Sequence, residues 1–555
     1  MPDNKYQPRV AYFCMEYGLN EDLPIYAGGL GVLAGDILKE AHDSQLPLIG
    51  IGILWKEGYT SQYIDELGWP YDKPAAFDRD LLHDTGVIIH VIVRGEDVPV
   101  KIWRVDAYDN APLYLLDTAL AGSNHGWITN RLYGGVEQDR VAQEIVLGIG
   151  GVRALEALGH TIDVYHFNEG HAVLAGVELI RRKMARGKTF RQALDATRRE
   201  VVFTTHTPVL AGNETHDHGL LQYMGAYNGL SKEDMIAIGG EPFNMTVAGM
   251  RLAHITNGVS KLHSITARSM WSDVDDRAPI VGITNGVHIK TWMHPNILKA
   301  YLANQDLWKP HMEAKKELLQ VIAKRVGVRL NPQFLVIGFA RRAAVYKRPE
   351  FIFHRMDIIE PLLSSGRVQM IFAGKAHPQD DAGKHVLNKV VQVSREFPES
   401  VVFLENYDME LGRLLTTGCD VWLNNPQRPL EASGTSGIKS ALNGGLNLSV
   451  LDGWWLEGCK HGTNGWQFGG GYEGELQSKY DLASLYEILL EEVIPTYYEQ
   501  PEKWQTMMRA AVDTAYHRFS AERMLAEYYN IMYQPSRTAK LIEEQIAEAF
   551  LEARI

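Results

Sequence analysis

Cysteine and long apolar runs are scarce in this chain, and each scarcity excludes a class of protein. Only three of the 555 residues are cysteines, Cys14, Cys419 and Cys459, and no two form a CxxC pair, so neither a disulfide framework nor a zinc ribbon is expected. The longest apolar stretches, such as 46–54, are too short to cross a bilayer. The first residues are polar and lack the apolar segment of a secretory signal. Together these features predict a protein of the reducing cytoplasm.

A surplus of positive charge is absent as well. Lys and Arg total 55 against 68 for Asp and Glu, which gives a net charge of −13. Neither nucleic acid nor an anionic membrane is therefore an expected partner, although a local basic pocket is compatible with this total. The chain is 45% hydrophobic and 22% charged, a balance typical of globular proteins.

Short apolar runs alternate with helical patterns along most of the chain. Nearly all-apolar runs such as 334–339 and 368–373 are typical of strands covered on both faces. The alternation predicts an α/β fold with doubly wound parallel sheets and right-handed crossovers. The predicted strands are 10–14, 48–54, 87–93, 101–106, 113–116, 164–167, 201–205 and 280–283, and then 334–339, 368–373, 401–404, 419–423 and 446–451. The predicted helices are 143–158, 171–185, 351–363 and 384–395.

The two series of strands are separated by a mostly helical stretch at 297–332. This predicts two Rossmann-like domains, 1–300 and 301–555, with the second ending in helices from about residue 482. Two such domains in tandem usually bind a ligand in the cleft between them, at the carboxyl ends of the strands. The last predicted helix is amphipathic and presents Ile542, Ile546, Ala549 and Phe550 on one face.

A glycine-rich loop at 27–36 is the first motif that could carry chemistry. Glycines let backbone N–H groups approach an anion at the start of a helix. The spacing Gly29-x-Gly31-x-x-Ala34 also fits the dinucleotide fingerprint. However, no clean strand precedes it and no acid ends a strand about 20 residues later, which disfavours NAD. A tight turn without a ligand is the alternative interpretation.

A basic loop follows the predicted strand 334–339. It holds four cations, Arg341, Arg342, Lys347 and Arg348, and Pro349 suits the first position of a helix. Cations at the carboxyl end of a strand, just before a helix, would bind phosphate well. The alternative is a solvated basic loop.

The segment Glu431-Ala-Ser-Gly-Thr-Ser-Gly-Ile-Lys439 is the most informative motif. Its pattern predicts a short helix that stops at 443–445, with the amides of 433–437 directed at an anion and Lys439 one turn into the helix. An amine beside a phosphate cradle is what pyridoxal phosphate (PLP) needs, because its aldehyde bonds to an amine and its phosphate needs donors. A surface lysine is the alternative.

The segment His166-Phe-Asn-Glu-Gly-His171 suggests zinc at first sight. Its histidine spacing is not that of HExxH, and it spans the end of a strand rather than one face of a helix. A polar loop at the end of a strand, facing the cleft, is favoured, and no metal is predicted.

These motifs, taken in order, resemble the α-glucan phosphorylase family of retaining glycosyltransferases. The final motif is the most specific. Segments 11–19 and 451–455 are most similar to the bacterial and archaeal branch. The matching segments are 26–36, 166–171, 204–207, 284–287, 341–348, 372–376, 405–407, 431–439 and 443–444.

The resemblance implies a GT-B fold and reversible phosphorolysis of α-1,4-glucan or maltooligosaccharide to glucose 1-phosphate, with retention. In the family, inorganic phosphate protonates the glycosidic oxygen and attacks the anomeric carbon, with the PLP phosphate as its proton partner. This agrees with the lack of an obvious pair of catalytic carboxylates, since phosphate has a second pKa near 6. A homodimer is possible, as is usual in the family.

The resemblance also assigns roles to individual residues. Lys439 would carry PLP. The predicted catalytic residues are Lys439, Arg342, Lys347, His206 and Glu431, with Arg342 and Lys347 on the substrate phosphate and His206 over the reacting sugar. The predicted cofactor-binding residues are Lys439, Arg341, Thr435, Ser436, Gly437 and Tyr407. The predicted substrate-binding residues are Gly28, Gly29, Asn285, Ser433, Gly434, Glu169 and His171, and Glu431 would also bond a glucosyl hydroxyl.

The chain departs from the family in places. It is much shorter than most members, and little precedes the glycine loop, so the N-terminal segment that regulates animal members and part of the usual subunit interface are expected to be missing. Ala343-Ala344-Val345 stands where polar residues are usual, and Ile438 stands for the more usual Met. Two alternatives stay open: a GT-B glucan synthase that uses a nucleotide sugar and has no use for Lys439, and a non-catalytic glucan-binding homologue.

Overall fold

The computed structural model describes residues 7–75, 77, 79–209 and 212–534. The predicted helix that contains Ile542 and Phe550 lies outside the described residues. The strands are β1 Val10–Phe13, β2 Leu48–Ile53, β3 Ser61–Ile64, β4 Pro70–Lys73, β5 His83–Val93, β6 Glu96–Val105, β7 Leu113–Asp117, β8 Val164–Asn168, β9 Val201–Thr205, β10 Thr215–His216, β11 Phe243–Asn244, β12 Ile255–Gly258, β13 Ile280–Gly282, β14 Leu335–Ala340, β15 Val368–Ala373, β16 Val401–Leu404, β17 Val421–Asn424, β18 Leu446–Val450 and β19 Gly465–Phe468.

Helices connect many of these strands. The α-helices are α1 Gly29–Asp43, α2 Glu137–Glu144, α3 Gly151–Ala157, α4 Leu174–Ala185, α5 Phe190–Arg198, α6 His218–Met224, α7 Lys232–Gly239, α8 Met245–Leu252, α9 Lys261–Met270, α10 Ile289–Trp292, α11 Pro295–Leu302, α12 Trp308–Val326, α13 Met356–Ser364, α14 Asp381–Glu396, α15 Met409–Gly418, α16 Ser436–Leu442, α17 Trp455–Gly458, α18 Gln477–Ile488, α19 Ile494–Glu499, α20 Pro501–Arg518 and α21 Ala521–Glu527. Within these described residues, no helix is long and apolar enough to cross a membrane.

The chain divides into two compact units. The first comprises the described parts of 1–59, 74–284 and 524–555, and the second comprises 60–73 and 285–523. The predicted boundary near residue 300 thus falls inside the second unit. The hairpin at 60–73 belongs to the second unit although it precedes that boundary in the chain. The segment that begins at Met524 belongs to the first unit although it follows that boundary.

The first unit is built on a nine-stranded sheet of order β13-β12-β9-β8-β1-β2-β7-β6-β5. The strands from β13 to β7 pair in parallel, as the alternation of strands and helices predicts. The pairs β7–β6 and β6–β5 are antiparallel, so the expectation of a purely parallel sheet was wrong here. The reason is that the short connections between β5, β6 and β7 allow hairpin turns but leave no room for a crossover helix.

The second unit is built on a six-stranded sheet of order β16-β15-β14-β17-β18-β19, parallel throughout. The strand order reverses between β14 and β17, and such a switch point is where doubly wound sheets place their ligand loops. All six residues of β14 are buried, as expected of a strand covered on both faces. The loop that follows β14 is therefore held on a rigid support. The core includes Leu318, Ile322, Val336, Ile371, Leu404, Leu415 and Trp422.

The predicted strands each coincide with a strand of the structure, which is mixed α/β as expected. Six strands were not predicted: the two-residue strands β10 and β11, and the longer strands β3, β4, β12 and β19. Each of the latter four has only four residues, and Asn, Gly, Gln or Asp interrupts its apolar pattern. Their pairing with neighbouring strands outweighs a weak local preference.

The expectation that a helix starts at Pro349 was also wrong. The basic loop instead forms two short 3₁₀ turns, Val345–Lys347 and Phe351–Phe353, and α13 begins only at Met356. Arg348 has a left-handed backbone with φ of 49°, which ends the first turn and prevents a continuous helix. The cations of this loop therefore do not stand directly before a helix N-terminus.

Candidate active site

Lys439 lies where the sequence predicts it, one turn into α16. Its N–H donates to the carbonyl of Thr435, the residue before the helix, at 3.1 Å. The side chain is only 7% exposed, and its Nζ lies 3.4 Å from the centroid of the Trp292 ring. An amine in this position is a partly desolvated cation against an aromatic face. Lys439 is therefore a buried lysine and not a surface lysine.

Asn443 ties Lys439 and Trp292 together. Its Nδ2 donates to the carbonyl of Trp292 at 2.8 Å and to the carbonyl of Lys439 at 2.8 Å. Its Oδ1 accepts from the N–H of His294 at 2.7 Å. Asn443 is fully buried, so this amide joins the ends of α10 and α16 through a satisfied set of hydrogen bonds.

Glu431 lies between two cations of the basic loop. One oxygen of its carboxylate, Oε2, accepts from Arg341 Nη2 at 2.8 Å and from Lys347 Nζ. Burial raises the pKa of Glu431, but Arg341 and Lys347 outweigh that effect and lower the pKa to about 2. These three side chains carry a net charge of +1. The carboxyl of Asp452, which accepts from the N–H of Glu431 at 2.9 Å and whose pKa burial raises to about 7, offsets only part of that charge, so this cluster can attract an anion.

Arg341 has donor capacity to spare. Its Nη1 is buried and has no hydrogen-bond partner within the described part of the chain. A buried guanidinium N–H without an acceptor costs free energy. A phosphate or carboxylate of a bound ligand would supply that acceptor.

Arg348 serves the fold and not the predicted phosphate site. Its guanidinium pairs with Asp481 at 2.7 Å and donates to the carbonyls of Asn425 and Pro426 at 2.7 and 2.9 Å. These acceptors use the donors that a phosphate would need. The expectation that four cations form one phosphate cluster was therefore wrong for Arg348. The side chain of Arg342, by contrast, is exposed.

Two further predicted residues of the second unit, Tyr407 and Asn285, lie in loops that precede α15 and α10. Tyr407 stands between β16 and α15, which begins after Asp408, whose carboxylate caps it by accepting from the N–H of Leu411 at 2.8 Å. Burial raises the pKa of Tyr407 to about 12. Asn285 is buried, and its Oδ1 has no hydrogen-bond partner among the described residues.

The turn that leads into α16 is shaped by glycine. Gly434 has φ of +71°, a conformation that side chains other than glycine rarely adopt. Ser433 is buried beside it, and Thr435 precedes the helix. Ser436 Oγ accepts from the indole N–H of Trp422 at 3.1 Å, which fixes the first helical residue. Gly437 follows, packed against Asn447, whose Nδ2 donates to its carbonyl at 3.0 Å.

In the first unit, the glycine loop holds an internal carboxylate. Glu16 Oε2 accepts from the N–H groups of Ala27 and Gly28 at 2.6 and 3.2 Å. The helix α1 begins at Gly29, and a Cβ added at Gly28 or Gly29 would meet nothing within 4 Å. The loop is thus open on one side, but the N–H of Gly28 already has an acceptor. The substrate role of Gly28 and Gly29 stays a prediction.

His206 follows β9 and has a defined tautomer. Its Nε2 is 2.6 Å from Oδ1 of Asn168, whose Nδ2 donates to Cys14 Sγ at 3.2 Å. This arrangement places the ring proton on Nε2 and leaves Nδ1 as an acceptor. Burial lowers the pKa of His206 to about 3, with His263 and His171 adding to the effect, so the ring is neutral at ordinary pH.

Glu169 supports the backbone next to His206. Its carboxylate accepts from the N–H of His206, from the N–H of Gly170 at 3.2 Å and from the hydroxyl of Thr207 at 3.2 Å. Burial raises its pKa. Burial also lowers the pKa of His171 to about 4, and Nδ1 of His171 has no partner among the residues described.

The comparisons with known proteins agree with these observations. The model of a family described as carbohydrate phosphorylase matches residues 296–479. A maltodextrin phosphorylase of Thermococcus litoralis is 40% identical over 95% of this chain and 71% of its own. A glycogen phosphorylase of Aquifex aeolicus is 35% identical over 98% of this chain and 88% of its own, and one of Mycobacterium tuberculosis is 37% identical over 95% and 71%.

The chain belongs to the α-glucan phosphorylase family. The resemblance drawn from the motifs is thereby confirmed, and the chain is an enzyme of the glycosyltransferase type. No comparison assigns individual residues, so the roles given above to the phosphorylase motifs stay predictions. What the structure adds is their grouping within each unit. Around α16 in the second unit lie Arg341, Lys347, Glu431, Ser433, Gly434, Thr435, Ser436, Gly437 and Lys439. In the first unit, Asn168, Glu169, His171 and His206 lie at the ends of β8 and β9.

Three residues that contact the predicted site residues were given no role by the sequence reasoning: Trp292, Asn443 and Asn168. The signal for Asn443 was present, because segment 443–444 belongs both to the predicted helix stop and to the resemblance, but its side chain, with four hydrogen-bonding positions, was given no role. Asn168 stood inside a motif that was judged by its histidines. For Trp292 no local pattern exists, since its contact with Lys439 joins positions far apart in the chain.

One group of side chains bears on the expectation that no metal is bound. Glu144, Glu214 and His216 offer ligand atoms that all lie within 4.8 Å of one another. Glu144 pairs with Nε2 of His216 at 3.2 Å, and Glu214 pairs with Arg140 at 3.1 Å. Burial lowers the pKa of His216, but Glu144 and Glu214 outweigh it and raise the pKa to about 9. Glu137 also pairs with Nδ1 of His216 at 3.2 Å, and burial, with Glu214 adding to it, raises the pKa of Glu144 to about 8.

Proposed function

We propose that this chain catalyses the reversible, PLP-dependent phosphorolysis of α-1,4-glucans, releasing glucose 1-phosphate from the non-reducing end with retention. The observation that carries the proposal is the grouping in the second unit. A buried Lys439 lies at the start of a short helix, and a buried Arg341 with an unused donor lies in the loop after β14. The family relationship supplies the reaction class, and this grouping supplies a place for the cofactor.

The residues fit PLP. Lys439 is an amine held in a buried position, and Nη1 of Arg341 lacks an acceptor within the described structure. The turn at Gly434 and the start of α16 add backbone donors next to that guanidinium. We assign the cofactor to Lys439, its phosphate to Arg341, Thr435, Ser436 and Gly437, and a contact with it to Tyr407. When bound, PLP supplies a phosphate that donates and accepts protons near neutral pH.

Arg342 and Lys347 are the proposed ligands of the substrate phosphate. The low pKa of Glu431 keeps this carboxylate ionised, so it fixes Lys347 and Arg341 in place at all working pH values. The net positive charge that remains lowers the electrostatic cost of bringing anions close together. A phosphate held there can give its proton to the glycosidic oxygen and attack the anomeric carbon from the same face, which is consistent with retention.

The proposed sugar contacts of each unit are hydrogen-bonding groups. In the second unit, Asn285 has a buried oxygen without a partner among the described residues, which a sugar hydroxyl would satisfy. In the first unit, the neutral His206 offers Nδ1 as an acceptor, and Gly28, Gly29, Glu169 and His171 complete the proposed substrate set. Ser433, Gly434 and Glu431 are assigned to sugar hydroxyls as in the resemblance.

The decisive experiment incubates the purified protein with PLP, maltodextrin and inorganic phosphate and measures glucose 1-phosphate. We expect release, and borohydride reduction followed by peptide mapping should find PLP on Lys439. Lys439→Ala should lose both properties. Lys479→Ala, at an exposed lysine on α18, is the matched control and should keep them. Retained activity and covalent PLP in Lys439→Ala would overturn the proposal.

The same assay separates the alternatives. Glucan extension from ADP-glucose, with no reaction of phosphate, would favour a nucleotide-sugar synthase. PLP bound without turnover of any α-glucan would favour a non-catalytic homologue.

Three further points belong to the proposal. We interpret the two units as the Rossmann-like domains of a GT-B fold. A homodimer stays a prediction, and light scattering coupled to size exclusion tests it. The cytoplasmic location also stays a prediction.

A further inference from the structure

Gln62 lies on a short hairpin that chain order separates from the rest of its unit. The strands β3 and β4 pair Gln62 with Asp72 in an antiparallel ladder. The hairpin belongs to the second unit, although Tyr59 before it and Pro74 after it belong to the first. Gln62 is only 2% exposed, so its amide must find its hydrogen bonds inside the protein.

The amide of Gln62 is paired with both backbone groups of Ala376. Oε1 accepts from the N–H of Ala376 at 2.8 Å, and Nε2 donates to its carbonyl at 2.9 Å. The second N–H of Nε2 goes to Oδ1 of Asp72 at 2.9 Å. Asp72 also accepts from the hydroxyl of Thr60 at 2.8 Å, which keeps its carboxylate in place. The orientation of the Gln62 amide is therefore fixed by three partners.

The backbone of Gln62 holds a second loop at the same time. Its carbonyl accepts from the N–H of Asn406 at 2.9 Å, and its N–H donates to Oδ1 of Asn406 at 3.3 Å. Asn406 has a left-handed backbone with φ of 50°, a conformation that Asn tolerates better than most residues. Tyr407 is the next residue, so the turn that aims its side chain is anchored on Gln62.

The loop of Ala376 contacts the basic loop directly. Ala376 forms a parallel bridge with Ala343, and the N–H of Ala343 donates to the carbonyl of Lys375 at 2.9 Å. Lys375 is itself held, since its Nζ donates to the carbonyl of Thr60 at 2.7 Å. Ala343 directly follows Arg342. The hairpin thus reaches the backbone of Arg342 through one bridged pair of residues.

We propose that Gln62 is a positioning residue that sets the spacing between the loop of Arg342 and the loop of Tyr407. The inference rests on the proposed function, which assigns these two side chains to the substrate phosphate and the cofactor. Glutamine suits the task because one amide can donate to a carbonyl and accept from an N–H of the same residue. Its contribution is to hold the loop of Ala376, which follows β15 and is bridged to the Arg342 loop after β14, in one geometry with the loop of Tyr407 after β16, while it touches no substrate itself.

The test compares Gln62→Met with Gln392→Met. Methionine keeps the length of Gln62 but removes all three of its side-chain hydrogen bonds. Gln392 donates to the carbonyl of Leu67 at 2.9 Å at the tip of the same hairpin, so its replacement loosens the hairpin far from the two loops. Each full-length holoenzyme is assayed for KM of phosphate, KM of maltodextrin, and amide hydrogen exchange of peptides that contain Ala376 and Asn406.

In Gln62→Met we expect faster exchange in both peptides and a KM for phosphate raised by about tenfold, the usual cost of leaving buried backbone groups unpaired. KM for maltodextrin should change less than about twofold. Gln392→Met should change none of these. Unchanged exchange would overturn the proposal, and so would faster exchange with an unchanged KM for phosphate or an equal rise in both KM values.

A second variant covers the case in which Gln62→Met does not fold. In Gln62→Glu the ionised carboxylate still accepts from Ala376 but cannot donate, and protonation restores one donor. The ratio of its KM for phosphate to that of the wild type, measured at each pH, should therefore fall toward one as the pH is lowered, and a pH-independent ratio would contradict the proposal. If the wild-type protein releases no glucose 1-phosphate, the proposed function fails, whereas hydrogen exchange still decides whether Gln62 holds the two loops.

Discussion

The amine of Lys439 lies 3.4 Å from the centroid of the Trp292 ring. Both side chains are buried, and Asn443 bonds to the backbone of each. A cation on the face of an indole is stabilised more strongly when it is desolvated. Trp292 thus fixes the side chain on which the proposed cofactor depends. It does so from a distant helix, since Trp292 and Asn443 are 151 positions apart in the chain.

Replacing Trp292 should weaken cofactor binding. We expect Trp292→Leu to lower the apparent affinity for PLP by about tenfold, because the amine loses the ring that orients it. Trp292→Phe keeps an aromatic face and should fall between this variant and the wild type. Reconstitution of the apoenzyme, followed by PLP fluorescence, measures the effect. Equal affinities in all three proteins would show that the ring does not matter for the cofactor.

Arg348 and Arg342 should behave in opposite ways when each is changed to Met. Arg348→Met leaves the buried Asp481 without its cation, and we expect a loss of about 3–5 kcal/mol in the free energy of unfolding. Arg342 is exposed, so Arg342→Met should change stability by less than about 1 kcal/mol but raise KM for phosphate by at least about tenfold. Urea unfolding and steady-state kinetics measure the two effects. A large stability loss in Arg342→Met would contradict this division of roles.

Glu431 should make stability depend on acid. Its pKa is lowered to about 2 from the ordinary value of 4.5, so the folded state favours the ionised form. The resulting stability, about 3 kcal/mol, is fully present above pH ~4.5 and is lost as the pH falls toward about 2. We expect the stability difference between the wild-type apoenzyme and Glu431→Gln to shrink over that window.

Urea unfolding of both proteins at a series of acidic pH values provides the measurement for Glu431. Glu475→Gln, at an exposed position, carries the same charge change and should show no such window. A difference that grows as the pH falls would have the wrong sign and would rule out the ion pairs as its cause.

Asn168 should control the ionisation of His206. Asn168→Asp places a carboxylate next to Nε2 of His206, and a nearby negative charge raises the pKa of an imidazole. The pKa of about 3 in the wild type should therefore rise toward neutrality, and protonation would convert Nδ1 from an acceptor into a donor. We expect kcat/KM for maltodextrin to fall on the acidic side in this variant only.

The pH–rate profile measures that effect. Asn304→Asp, an exposed position with the same charge change, is the control and should keep the wild-type profile. Superimposable profiles for Asn168→Asp and the wild type would mean that His206 does not act through its neutral tautomer.

The sequence by itself determined the features that depend on neighbours in the chain. The buried strands, the short helix α16 with Lys439 on its first turn, and the order of the motifs follow from apolar patterning and helix signals that act over a few residues. The motif order was also enough to place the chain in its family. Local patterning failed where backbone geometry decides, as at Arg348, whose left-handed conformation ends the turn before Pro349.

Only the tertiary structure decided which of the predicted residues act on one another. The pairing of Glu431 with Arg341 and Lys347, the ring of Trp292 over Lys439, and the hold of Gln62 on two loops all join residues about 80 to 340 positions apart. The sequence contains the cations, but it does not show that Arg348 pairs with Asp481 or that Glu16 accepts from the N–H groups of the glycine loop. Long-range contacts are fixed by the packing of whole sheets and helices, and no local pattern in the chain encodes them.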